Sequence, residues 1–144
     1  MRRLVVSIMM VALCAAQACA PKCLHVGVFN RTDLLVAFYK SAAWDQYLQD
    51  LTKQRDEARA QGDEKRVKEI EEQGAKSQEH AHLQLAGKAP LDNIFEHISD
   101  KLPAVSRETG VSVIVEMPLY NTADVELVNV TEFLVKLLPP KSKK

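Results

Sequence analysis

The sequence lacks the short motifs that announce familiar chemistry. It contains no G-x-G-x-x-G, no P-loop, no G-x-S-x-G and no paired C-x2-C, so no nucleotide cradle, nucleophile elbow or structural zinc site is prefigured. Cysteine is scarce, with Cys14, Cys19 and Cys23 only, too few for a disulfide framework. Neither sign of charge dominates: nineteen Lys and Arg balance nineteen Asp and Glu, which gives no electrostatic case for nucleic acid. Acids are plentiful, but acids on helices are usually solvated and no spacing singles out a catalytic pair. No catalytic residue, metal set or cofactor is assigned, and the chain reads as a non-enzyme.

The histidines lead to the same reading. His80 and His82 stand two apart on an expected helix and therefore point to different faces, unlike a four-apart ligand pair. His25 and His97 have no motif around them, and His97 beside Glu96 fits an exposed helix face.

What the chain does have begins at its start. Met1-Arg2-Arg3 is a short cationic region, followed by an uncharged apolar run from Leu4 to Ala16. This is the pattern of a secretory signal over residues 1–18, too short for a membrane anchor of about 20 apolar residues. It implies export to the bacterial periplasm. Ala16-Gln17-Ala18 fits an A-x-A cleavage site. Cys19 is also placed as the first residue of a lipoprotein, although the position three before it is Ala16 rather than a bulky aliphatic residue. Cys19 and Cys23, spaced C-x3-C in residues 19–23, are thus candidates for lipidation or for a small disulfide in an oxidising compartment. Only a lipidated Cys19 would tether the chain to a membrane. Removing the signal takes Arg2 and Arg3 and no acid, which leaves about 126 residues with a net charge of −2. That length suits one domain, expected over residues 24–138.

Leu24, Val26 and Val28 alternate with His25, Gly27 and Phe29, the period of a strand. Asn30 to Asp33 supply capping chemistry for a helix starting near Thr32, and Ser41 either restarts or continues it. From Ala42 to Ala60, Trp44, Tyr47, Leu48 and Leu51 follow three-and-four spacing before the sequence turns charged and polar. Gly62 and Asp63 stop one helix and cap the next, so a hairpin is expected over about 42–86 with its turn near 60–63. Val67, Ile70, Gly74, Ser77 and Ala81 fall at the a and d places of a heptad in the second helix, with Leu85 one turn on. Pro90 suits the first turn of a further helix bearing Leu91, Ile94, Phe95, Ile98 and Leu102, bent or interrupted at Pro103 and ended by Gly110. Val111–Val115 is the clearest strand, and further extended pieces are expected at Leu119–Asn121 and Val125–Val130. Thr131 caps a last helix, and residues 139–144 form a disordered basic tail. The plan is α+β: a small antiparallel β-sheet base from which an antiparallel helical hairpin protrudes.

That order of elements resembles the Skp/OmpH family of periplasmic chaperones. The residues that carry the resemblance are Val26-Gly27-Val28-Phe29-Asn30 before Leu34-Leu35, and Gly110-Val111-Ser112-Val113-Ile114-Val115 leading through Tyr120-Asn121-Thr122-Ala123-Asp124-Val125 to Val130-Thr131-Glu132-Phe133-Leu134. The middle agrees only in being helical. The resemblance implies a homotrimer whose sheets form a common base and whose hairpins project as arms around a cavity, holding unfolded outer-membrane or periplasmic proteins without ATP. This chain departs from the family in its slight acidity, its interruption at Gly87–Pro90 and its short arms, about 30 Å for 20 residues. The departures favour an alternative, a non-chaperone structural or adaptor protein of the cell envelope on the same trimeric base. The candidate residues for client binding or arm packing are Trp44, Tyr47, Leu48, Leu51, Val67 and Ile70.

Overall fold

The computed structural model describes residues 24–118 and 120–141. The signal, Cys19, Cys23 and Leu119 lie outside the described residues. The order is β1 (Leu24–Phe29), α1 (Arg31–Tyr39), α2 (Ala42–Ala60), α3 (Glu64–Leu85), α4 (Asp92–Ile98), α5 (Leu102–Thr109), β2 (Val113–Glu116), β3 (Val125–Asn129) and α6 (Thr131–Lys136). The class is α+β as expected.

The sheet corrects the expectation of antiparallel pairing: β1 lies between β2 and β3 and is parallel to both. The reason lies in the connections. Antiparallel neighbours are joined by tight turns, whereas parallel ones need a crossover that returns the chain to the starting end. All five helices α1 to α5 lie between β1 and β2 and provide that return. β3 then joins the far edge of β1, reached through residues 117–124. Residues 120 and 121 are not a strand, and β2 starts at Val113, although Ser112 N still donates to His25 O at 3.2 Å.

Each face of β1 has its own character. Phe29 joins the main core and meets Phe95 edge to face, with ring centroids 5.4 Å apart. Gly27 is on the same face, where an added Cβ would stand 3.2 Å from both Ile114 Cγ1 and Val111 Cγ2. The absent side chain therefore leaves room for Ile114 and Val111 to close over the strand. Leu34, Leu35, Ile94, Ile98, Val130 and Leu134 complete this core, each at most 1% exposed.

Helix ends follow from local chemistry. Asn30 caps α1 by accepting from Asp33 N, Ser41 restarts the chain as α2 by accepting from Trp44 N, and Asp63 caps α3 by accepting from Arg66 N. Gly62 and Gly110 adopt φ of 71° and 74°, the left-handed conformation that ends a helix. Two expected details differ, at Pro90 and Thr131, and one left open, at Pro103, is decided. Pro90 precedes α4 rather than entering its first turn, because Leu91 is the N-cap. Of the two expectations for Pro103, interruption holds: α4 ends at Ile98 and Pro103 stands in the first turn of α5, as suits a residue with no N–H to give. Thr131 does not cap α6: its hydroxyl accepts from Asn30 N at 2.9 Å, and Asn129 Oδ1 accepts from Thr131 N.

The hairpin has a core of its own, Leu51, Ala58, Val67 and Ile70. Residues 139–141, expected in a disordered tail, instead carry backbone hydrogen bonds to the start of α2, whereas residues 142–144 lie outside the described residues. Among the described residues no helix is long and apolar enough to cross a membrane.

Two glycines should respond oppositely to a side chain. Gly27→Val forces Ile114 and Val111 aside and should cost about 1–3 kcal/mol. Gly74→Ala, in mid-helix with nothing within 4 Å of the new Cβ, should stabilise by about 1 kcal/mol. Urea denaturation followed by circular dichroism measures both.

Candidate functional site

The arm and the body have separate cores, and the seam between them is aromatic. Phe38 and Tyr39 end α1, and Trp44 and Tyr47 begin α2 one turn apart, so the break at Ser41 folds the four rings together. Trp44 lies 5.8 Å from Phe38, 4.8 Å from Tyr39 and 5.1 Å from Tyr47 between centroids. Such tilted and edge-to-face contacts each add about 0.5–1.5 kcal/mol beyond burial. Trp44 packs against the body core and Tyr47 against the arm core, so this pair joins the two.

The rings form one wall of an open cleft of about 560 Å³. Its rim carries Lys76 and His80 from α3 and His97 from α4, and its lining contains no carboxylate. His97 meets the Phe38 ring edge-on at 6.0 Å. His80 and His82 do diverge: His82 lines a second groove, on α3, with Leu48 and Leu85. Among the described residues no three His, Cys, Asp or Glu come together as a metal site.

The six candidate residues from the sequence fall in two places. Leu51, Val67 and Ile70 are buried inside the hairpin, where they hold its helices together. Trp44 and Tyr47 line the cleft, and Leu48 is exposed beside the second groove. Tyr47 also reaches across the hairpin, its hydroxyl 2.8 Å from Ser77 Oγ.

Beneath the aromatic seam is a polar junction that the sequence reading missed. Gln84, fully buried, donates through Nε2 to Pro90 O and to Asn93 Oδ1, both at 2.6 Å, and its Oε1 accepts from the Tyr39 hydroxyl. Its backbone carbonyl accepts from Arg31 Nε at 2.9 Å. The same guanidinium donates to Ala89 O and pairs with Glu116 Oε2 at 2.8 Å. One residue on α1 thereby ties the end of α3, the following loop and the end of β2. Gln84 occupies the next d place after Ala81, a signal that extending the heptad would have exposed; Leu85, assigned that role, is 52% exposed. Burial pushes the Tyr39 hydroxyl above its ordinary value near 10, against a smaller opposing effect of its hydrogen bond with Asn93.

A second surface is formed by the other face of the sheet. The registers Val26↔Val113, Val28↔Val115, Leu24↔Val125 and Val26↔Leu127 place seven aliphatic side chains on the face opposite Phe29. Leu24 and Val113 are 48% and 49% exposed, Val26, Val115, Val125 and Leu127 are half-buried, and Val28 alone of the seven is buried. A solvated sheet face normally alternates to polar residues, so this one is a candidate interface.

Gln84→Leu leaves Tyr39, Asn93 and Pro90 O without their partner and should cost about 3 kcal/mol in urea denaturation. Because the folded protein holds the Tyr39 proton more tightly than the unfolded chain, its contribution is intact below about pH 10 and is lost as pH rises through the raised value. Tyr39→Phe should therefore flatten that part of the alkaline stability profile, measured by thermal melts between pH 8 and 11. Compared with protein-family models, with curated proteins and with solved structures, the chain gives no match.

Proposed function

We propose that this chain is an ATP-independent, chaperone-like holdase of the bacterial periplasm, trimeric through its sheet and contacting unfolded envelope or outer-membrane polypeptides at the root of each arm. The observation that carries this reading is the aromatic cleft. Trp44, Tyr47, Phe38 and Tyr39 offer apolar area with little side-chain entropy to lose, in a wall too open to select one sequence. Unfolded segments would be held weakly there, with no nucleotide needed.

The aliphatic sheet face supports self-association, because a second copy would cover Leu24 and Val113 without moving a helix. The outer edges of β2 and β3, at the two ends of the sheet order, supply further unpaired backbone. Export rests on the signal over residues 1–18, and membrane attachment would follow only from a lipidated Cys19.

A second reading, the envelope adaptor, draws on the size of the arm. Helices of 19 and 22 residues span about 28 and 33 Å, so the space enclosed by three of them is small.

Aggregation of a denatured outer-membrane barrel protein, followed by light scattering with and without the mature chain, separates the readings. The holdase suppresses aggregation at about one trimer per client, and Trp44→Ala with Tyr47→Ala weakens suppression while leaving the mass unchanged. A clean trimer that never suppresses aggregation rejects the holdase and leaves the adaptor. Val113→Lys should shift sedimentation from trimer to monomer with the circular dichroism spectrum retained; an unaltered mass would rule out this sheet face as the interface.

A further inference from the structure

The short segment after α6 is built into the joint that aims the arm. Leu138 is buried in the body core, and from that anchor the chain runs back across the break between α1 and α2. Pro139 O accepts from Ala42 N at 2.9 Å, and Lys141 N donates to Lys40 O at 3.2 Å. These two bonds flank an antiparallel bridge between Ser41 and Pro140, and Ser41 is only 1% exposed beneath it. Lys141 Nζ then pairs with Asp45 Oδ1 in the first turn of α2.

We infer that Pro139–Lys141 is a latch on the root of the arm, holding the first turn of α2, and with it Trp44, at the mouth of the aromatic cleft. The prolines suit the role: their fixed φ removes freedom that a flexible segment would have to lose on docking. The clamped stretch, Lys40 to Asp45, contains both Ala43 and Trp44, two residues of the cleft wall. The hairpin is also fixed by the buried Gln84 junction at the end of α3. Of the two, the latch is the one that can open: the Lys141 side chain is 59% exposed and its ion pair is screened by salt. Release frees one turn of α2 while the Gln84 junction keeps α3 in place, so the cleft widens without unfolding the body.

The latch does not depend on what occupies the cleft, so its test uses the free mature chain and is separate from any client assay. Three variants are compared with the parent by hydrogen exchange and by emission of the single tryptophan: a chain ending at Leu138, Lys141→Glu, and the exchanged pair Asp45→Lys with Lys141→Asp. Loss of two backbone bonds and an ion pair should make the amides of residues 42–45 exchange about tenfold faster in the shortened chain. Lys141→Glu should give a few-fold increase, and the exchanged pair should return toward the parent rate. Trp44 emission should shift to the red wherever exchange rises, while the amides of α4 keep their protection. Parent-like exchange at residues 42–45 in the shortened chain, or in Lys141→Glu should the shortened chain not fold, overturns the latch. So does faster exchange spread equally over α4.

Discussion

The structure depends on how a hairpin with its own small core is fixed to a body with another. Leu51, Ala58, Val67 and Ile70 bind α2 to α3 but contribute nothing to the body. Apolar contact alone would leave the hairpin free to pivot, since hydrophobic attraction has no direction. Direction comes from the bonds around Arg31 and Gln84. A fully buried amide with every polar atom satisfied tolerates one geometry, because any rotation leaves a donor or acceptor unpaired at a cost of about 1–3 kcal/mol. Arg31 enforces the same geometry from the other side, its planar fork spanning Gln84 O, Ala89 O and Glu116. The aromatic seam above this junction fills volume; the junction sets the angle.

The parallel sheet follows from the same arrangement. A hairpin inserted after α1 and pinned again at the end of α3 returns the chain to the side of the body where it left, and α4 and α5 then carry it back to the starting end of β1. β2 must run parallel to β1. One face of the three strands joins the main core through Phe29, Ile114 and Val128, and on the other the aliphatic residues stay exposed or half-buried apart from Val28. An antiparallel sheet closed by tight turns would not have required the long return.

Much of this was legible from local chemistry. The hairpin and its turn follow from Gly62 and Asp63 and the end of α5 from Gly110, because caps and left-handed turns are decided within four or five residues, whereas Ser41 allowed either a restart or a continuation. The hairpin core was legible from Leu51, Val67 and Ile70 at heptad spacing. What escaped depends on distant partners. Thr131 looks like a cap in sequence but is claimed by Asn30, a hundred and one residues away. Strand direction is a property of connections rather than of Val113 to Glu116 themselves. Alternation in β1 separates two faces without telling which is covered, and the core took the face of His25, Gly27 and Phe29 because glycine there admits close packing. His80 and His97 reach one cleft only because α3 and α4 are angled together by the Gln84 junction, and no spacing in the sequence encodes that angle.

The division between arm and body also bears on how binding would be distributed along the molecule. Toward the tip, apolar side chains are spent within the hairpin and the outer faces carry pairs such as Arg59 with Glu71 and Arg66 with Glu69, which offer an unfolded chain little apolar area. Toward the root, α3 presents Gly74, Ser77 and Ala81, whose small side chains leave Trp44, Tyr47 and Leu48 partly uncovered. In the proposed holdase, client contact would concentrate at the roots, where a shared base would bring several copies within reach of one polypeptide. A single shallow aromatic wall holds a segment weakly, but wells joined by the client's own chain act at high effective concentration and retain it without any one being selective. Arm length would then matter less than the spacing of the roots, which the proposed assembly through the aliphatic sheet face would set.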